Sequence, residues 1–152
     1  MGISSDLDEV DSAILQLLKQ NSRMSFQEMS RQTGISDATI QFRLKRMRAR
    51  GVIDKFTVMV NPTAAGYNVA AIILVKTDAD KHDEAKVALS GLSQISEVYS
   101  VLGEFDLFLK VWAKSLEELN AMINDDIRSV GGVEDILEIV IVERVKEETP
   151  PI

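Results

Sequence analysis

Apolar residues in the first fifty positions recur at helical spacing, whereas from Asn68 onward they alternate or run in short blocks. Val10, Ile14, Leu17 and Leu18 share one face of a segment from about Leu7 to Lys19, which predicts an amphipathic helix. Asp6 is the expected N-cap, and Asp8, Glu9 and Asp11 suit the positive end of the helix dipole. A second helix is expected from Ser25, with Glu28 three residues on completing a capping box. Phe26 and Met29 face inward, and Gly34 ends the helix. Ser36 caps a third helix that runs to about Arg50 and closes at Gly51.

A short helix, a glycine turn and a longer helix have the spacing of a helix-turn-helix. Small Ser30 stands where the two helices must approach closely. Val52–Asn61, with apolar Val52, Ile53, Phe56, Val58 and Val60, is expected to form a short strand pair, or wing. Residues 61–67, beginning at Asn61-Pro62, have linker composition.

The second half predicts strands at Val69–Thr77, Ile95–Leu102, Phe105–Ala113 and Val133–Val145. Helices are expected at Lys81–Gly91 and from the Ser115 cap to about Ser129, before the Gly131-Gly132 break. Gly103-Glu104 is expected to join the middle strands tightly. The order βαββαβ is that of a ferredoxin-like unit. The fold class is therefore α+β: a winged helix-turn-helix over residues 1–60, a linker over 61–67, a βαββαβ domain over 68–146 and a loose tail over 147–152. Several strands are apolar on both faces: Ala71, Ile73 and Val75 alternate with Ala70, Ile72 and Leu74, and Leu107, Leu109 and Val111 with Phe108, Lys110 and Trp112. Two helices cover one face only, so the other needs a second cover, either another copy of the sheet or a ligand in an open groove.

Charge sharpens this division. The net charge of −7 argues against nucleic acid, but residues 1–60 hold nine Lys and Arg against seven Asp and Glu, while residues 61–152 hold eight against seventeen. Five cations, Arg43, Lys45, Arg46, Arg48 and Arg50, belong to the third helix. On a helical wheel Ile40, Leu44 and Met47 form its buried stripe, opposite Ala38, Gln41, Phe42, Lys45 and Ala49. Thr39, Arg43 and Arg46 lie on one flank and Arg48 on the other. A wet, cationic face is what phosphate and base contacts require, and Gln41 can bond an adenine edge. Ser36, Ala38, Thr39, Gln41, Phe42, Arg43, Lys45 and Arg46 are the candidate residues for contact with double-stranded DNA. Phe42 has two readings: contact with a thymine methyl or sugar, or packing against the wing or a neighbouring domain.

Other chemistry finds little material. The chain has no cysteine and a single histidine, His82, expected to be exposed. That rules out the usual zinc site and a nucleophile–base–orienter set, so neither a metal, a cofactor nor a catalytic site is expected. The polar, acidic start and the lack of a long apolar run fit a cytoplasmic protein. Two other readings carry distinct marks. A ligand-sensing module whose N-terminal helices serve only oligomerisation would lack DNA affinity. A small enzyme, such as a heme-free monooxygenase, would need a polar cavity between helices and sheet.

The stretches Leu7-Asp-Glu-Val-Asp-Ser-Ala-Ile-Leu15, Gly34-Ile-Ser-Asp-Ala-Thr-Ile40, Arg43, Gly51-Val-Ile53 and Gly103-Glu-Phe-Asp106 resemble the Lrp/AsnC, or feast/famine, regulators across residues 6–146. The resemblance implies a transcription regulator whose second domain binds small molecules, typically amino acids. It implies homodimers paired through their sheets and assemblies of dimers, to a tetramer or octamer, with effector sites where dimers meet. Leu102 stands where the family often has Thr, and Phe105 where it often has Tyr. Gly103, Glu104, Phe105 and Asp106 are the effector-site candidates the resemblance implies. Glycine lets a ligand approach the backbone, turn N–H groups suit a carboxylate, and Asp106 suits an ammonium group. The alternative is structural: Gly103 makes the turn and Asp106 bonds neighbouring backbone N–H groups.

Overall fold

The structure, a computed structural model, describes residues 7–151. They fall into two compact units: one runs up to Met59 and includes the stretch from Glu148, and the other is Val60–Glu147.

The first unit contains α1 (Glu9–Gln20), α2 (Phe26–Thr33) and α3 (Asp37–Ala49). The expected cap Asp6 lies outside the described residues; the observed cap is Asp8, whose carboxylate accepts from the Asp11 N–H at 2.9 Å. Ser25 and Ser36 cap α2 and α3 as their spacing predicts, accepting from the N–H groups of Glu28 and Thr39. Gly34 turns between them at φ +74°, a left-handed conformation that costs glycine nothing. Ile14, Met29, Ile40 and Met47 are fully buried where the three helices meet, each worth about 1.5–3 kcal/mol in apolar transfer. Val52 and Ile53 pack back onto this core.

The wing does not form: residues 54–60 carry no strand, and Val58, Met59 and Val60 are exposed. A hairpin there would need a turn signal such as Asn-Gly between its arms, and Val52–Val60 has none. The closing stretch also carries no regular structure, although the Pro150 carbonyl accepts from Lys19 Nζ at 3.1 Å.

The second unit is an antiparallel four-stranded sheet in the order β2-β3-β1-β4, with β1 at Val69–Thr77, β2 at Ile95–Ser100, β3 at Leu107–Ala113 and β4 at Val133–Ile141. The helix α4 (His82–Ser90) follows β1, and α5 (Leu116–Ala121) follows β3 and widens into a π-helical run over Met122–Ile127. Ala71, Ile73, Val75, Leu107, Leu109 and Val111 point to one face and are sealed by Leu89, Leu119, Met122, Ile123 and Ile127. β4 stops at Ile141, short of the expected Val145, because its partner β1 begins at Val69 and the last pair is Ala70–Ile141. A strand without a ladder partner has no reason to continue.

The link between β2 and β3 is longer than a tight turn and covers Val101–Asp106. Gly132, at φ +94°, cannot be replaced without strain: a Cβ there would stand 2.7 Å from the Lys81 Cβ.

Candidate nucleic-acid interface and effector site

α3 sorts its cations into two groups. Arg43 and Arg46 turn toward α1, where Asp11 is fully buried. Arg46 Nη2 stands 2.8 Å from Asp11 Oδ2, and Arg43 Nη1 stands 3.3 Å from Asp11 Oδ1 while also bonding Asp8. The Arg43 guanidinium holds the Asp8 carboxyl below the usual carboxylate range. These two arginines are thus held by carboxylates inside the unit. Ser36 and Thr39 are also engaged locally, through the cap and a 2.9 Å hydroxyl–hydroxyl bond.

Lys45 and Arg48 differ. Among the described residues neither forms an ion pair, and both are exposed. They continue an outward stripe made by Ala38, Gln41 and Phe42, with Phe42 62% exposed. The structure therefore brings Ala38, Gln41, Phe42 and Lys45 together on open surface and draws Arg43 and Arg46 away from it. Beside the stripe lies an open cavity of about 570 Å³, lined by Phe26, Leu44, Ala49 and Phe56 with Gln41, Lys45 and Arg48. Arg48 and Phe56 were absent from the candidate set, although Arg48 follows Lys45 by three residues, the spacing of one helical face. Asp11 was legible too, as a carboxylate within the apolar face of Val10, Ile14 and Leu18.

In the second unit the Gly103–Asp106 stretch is open to solvent on one side: a Cβ at Gly103 would meet nothing within 4 Å. The Asp106 carboxylate is already engaged. It accepts from the Thr77 N–H at 2.8 Å and the Thr77 hydroxyl at 3.3 Å, and the Thr77 N–H above all pulls its pKa below the ordinary value. Its own N–H donates to the Val75 carbonyl at 3.0 Å. His82, expected to be exposed, is half-buried and engaged: its Nδ1 lies 2.8 Å from Thr77 Oγ1 and its Nε2 lies 3.4 Å from Ser100 Oγ. The start of α4 falls beside the end of β1, a proximity that the polar run around His82 does not advertise. Glu104 is exposed, and Phe105 is half-buried.

The sheet face away from the helices carries Ile72, Leu74, Phe108, Trp112, Leu137 and Ile139, with Leu137 and Ile139 more than 40% exposed. One cation stands among them. Lys110, paired across from Ile72, stacks 5.3 Å from the Trp112 ring and is bonded by Glu97 and Glu147. A register shift between Ile95 and Glu97 brings Glu97 opposite Lys110. Among the described residues no cluster of three or more His, Asp or Glu is placed to hold a metal ion, and no helix is long and apolar enough to cross a membrane.

The two units match two family models: an AsnC-type helix-turn-helix domain over residues 7–48 and an Lrp/AsnC ligand binding domain over residues 70–151. The HTH-type transcriptional regulator FL11 of Pyrococcus furiosus is 39% identical over 143 residues, spanning 94% of each chain. Among solved structures, E. coli AsnC superposes with a TM-score of 0.89 at 26% identity, over 94% of this chain and 97% of that one. The feast or famine regulatory protein from M. tuberculosis, complexed with L-methionine, gives 0.88 at 25% identity over 95% and 98%. A capped three-helix unit with an open cationic stripe, joined to a four-stranded sheet unit and matched along nearly its whole length, makes this chain a member of the Lrp/AsnC family, a DNA-binding transcription regulator.

Proposed function

We propose that this regulator reads double-stranded DNA through the exposed stripe of α3, with Gln41 on a base edge, Lys45 on the backbone, and Ala38 and Phe42 against apolar groups of the groove. The observation that carries the reading is the division of cations on α3: Arg43 and Arg46 are neutralised by Asp8 and Asp11, whereas Lys45 stands unneutralised beside Gln41. Arg43 and Arg46 act on DNA indirectly, by fixing α3 against α1. Ser36 and Thr39 act by holding the start of the helix.

A second copy of the chain covers the open sheet face and buries Ile72, Phe108, Leu137 and Ile139, because a soluble protein does not leave so apolar a face in water. An amino acid is the effector. The methionine complex of a relative supports this class, and the open approach at Gly103 supports the Gly103–Asp106 stretch as the contact. The ligand acts by binding one assembly state better than another.

The test is selection of duplexes from a random pool, with and without each of the twenty amino acids, by the parent and by Gln41→Ala and Lys45→Ala. The expected result is an enriched sequence for the parent, relaxed discrimination for Gln41→Ala and uniformly weaker binding for Lys45→Ala. Parent-like enrichment by both variants would refute the assignment of α3, and identical pools with and without every amino acid would refute the effector. Sedimentation tests the covered face: a stable monomer at micromolar concentration would refute it.

A further inference from the structure

We propose that Arg48, propped by Phe56, is a phosphate anchor at the C-terminal end of the reading stripe. The inference rests on the α3 reading above and extends it beyond the helix itself, to the segment that follows.

Gln41, Lys45 and Arg48 are spaced by four and three residues, so they stack along one face. Arg48 lies about 16 Å along the axis from the first residue of α3 at 1.5 Å per residue. A recognition helix contacts base edges mainly with its N-terminal residues. Its far end is therefore suited to the sugar-phosphate backbone, and an arginine there offers planar paired donors to phosphate oxygens.

The Arg48 guanidinium carbon stands 5.6 Å from the centroid of the Phe56 ring, within cation–π range. The ring is 49% exposed, and its neighbours Thr57 and Val58 are exposed as well. A helix dipole explains why a cation ends α3, but not why an aromatic ring supports it. A guanidinium resting on a ring keeps its in-plane N–H donors available and loses less rotamer freedom when it meets a phosphate. The contrast with Arg43 and Arg46 is direct. Their guanidiniums are held by Asp8 and Asp11, whereas Arg48 is held by a neutral ring and keeps its full charge for a partner outside the unit.

The experiment is a salt titration of the full chain on a random-sequence duplex, with folding of each variant checked by thermal unfolding. Arg48→Ala is expected to weaken binding roughly three- to tenfold and to lower the slope of log affinity against log salt by about 0.9, the loss of one phosphate contact. Phe56→Leu keeps the charge and an apolar side chain. It is expected to weaken binding in the parent and to change nothing in the Arg48→Ala background. An unchanged slope in Arg48→Ala would overturn the anchor. Equal losses from Phe56→Leu in both backgrounds would overturn the prop and make Phe56 a packing residue. Failure of the underlying reading looks different: Lys45→Ala would then bind the same random duplex like the parent, and Gln41→Ala would keep the parent's enrichment in the selection from the random pool. Weaker binding by Lys45→Ala and relaxed discrimination by Gln41→Ala beside an unaltered Arg48→Ala would reject the anchor alone.

Discussion

Replacing Asp11 by asparagine changes one atom and removes the charge that holds α3 against α1. Asp11 is fully buried, and its two oxygens face Arg46 at 2.8 Å and Arg43 at 3.3 Å. Removing one member of a buried ion pair costs about 3–5 kcal/mol, because the surviving charge is left desolvated. Here the guanidiniums can rehydrate in part, since the Arg46 side chain is 35% exposed, so the expected loss is about 2–3 kcal/mol. A unit of this size has roughly 3–9 kcal/mol in total at typical stability per residue. At 4–8 °C per kcal/mol, its melting temperature should fall by roughly 10–20 °C.

The assay is thermal unfolding of the full chain by circular dichroism, with amide exchange in α1 and α3 to assign the transition. Glu9→Gln, on the exposed side of the same helix, is the control and should stay within about 0.5 kcal/mol of the parent. The triple change Asp11→Leu, Arg43→Leu and Arg46→Met should recover much of the loss, since a buried charge cluster replaced by apolar groups is often tolerated. If Asp11→Asn melts like Glu9→Gln, the cluster does not hold the helices together.

Three further outcomes are expected. Gly132→Ala should destabilise the sheet unit by about 2 kcal/mol or more, through both its positive φ and the 2.7 Å approach to Lys81 Cβ, whereas Gly34→Ala, with open space at φ +74°, should cost about 1 kcal/mol; denaturant midpoints in the reverse order would refute this. Asp8, Asp106 and Glu147 are all held below their ordinary pKa values, by Arg43, the Thr77 N–H and Lys110 respectively. The unfolded chain therefore binds more protons, so their stabilisation is complete above about pH 4–5 and fades as pH falls through the lower folded values. A urea midpoint at pH 3 equal to or above that at pH 7 would contradict it. Asp106→Ala should lower the melting temperature even without any amino acid, because Thr77, 8% exposed, loses the acceptor for its N–H, while Asp106→Asn should retain part of that bond; equal melting of Asp106→Ala and the parent would show the contact to be idle.

Local chemistry along the chain determined the elements. Ser25, Ser36 and Ser115 each cap the helix that their spacing predicts, Gly34 makes the turn, and β1 spans Val69–Thr77 as its apolar run indicates. Such signals depend on residues within four positions of one another or on strand alternation, and both are written in sequence order. The wheel of α3 likewise separated the buried stripe of Ile40 and Met47 from the wet face of Gln41 and Lys45.

What only the tertiary structure decided is where charges and backbone groups find partners far along the chain. Arg46 and Lys45 are adjacent cations on one helix, yet the crossing of α1 gives Arg46 a buried carboxylate 35 residues away and leaves Lys45 exposed. Asp106 belongs to a turn by its spacing, but the sheet sets it beside Thr77, 29 residues back, and that in turn engages His82. β4 ends where β1 begins, and residues 54–60 form no strand, although their apolar side chains suit one. In each case the local preference was satisfied by more than one arrangement. The choice fell to long-range contacts, because a buried charge or an unpaired strand costs too much to be left without a partner.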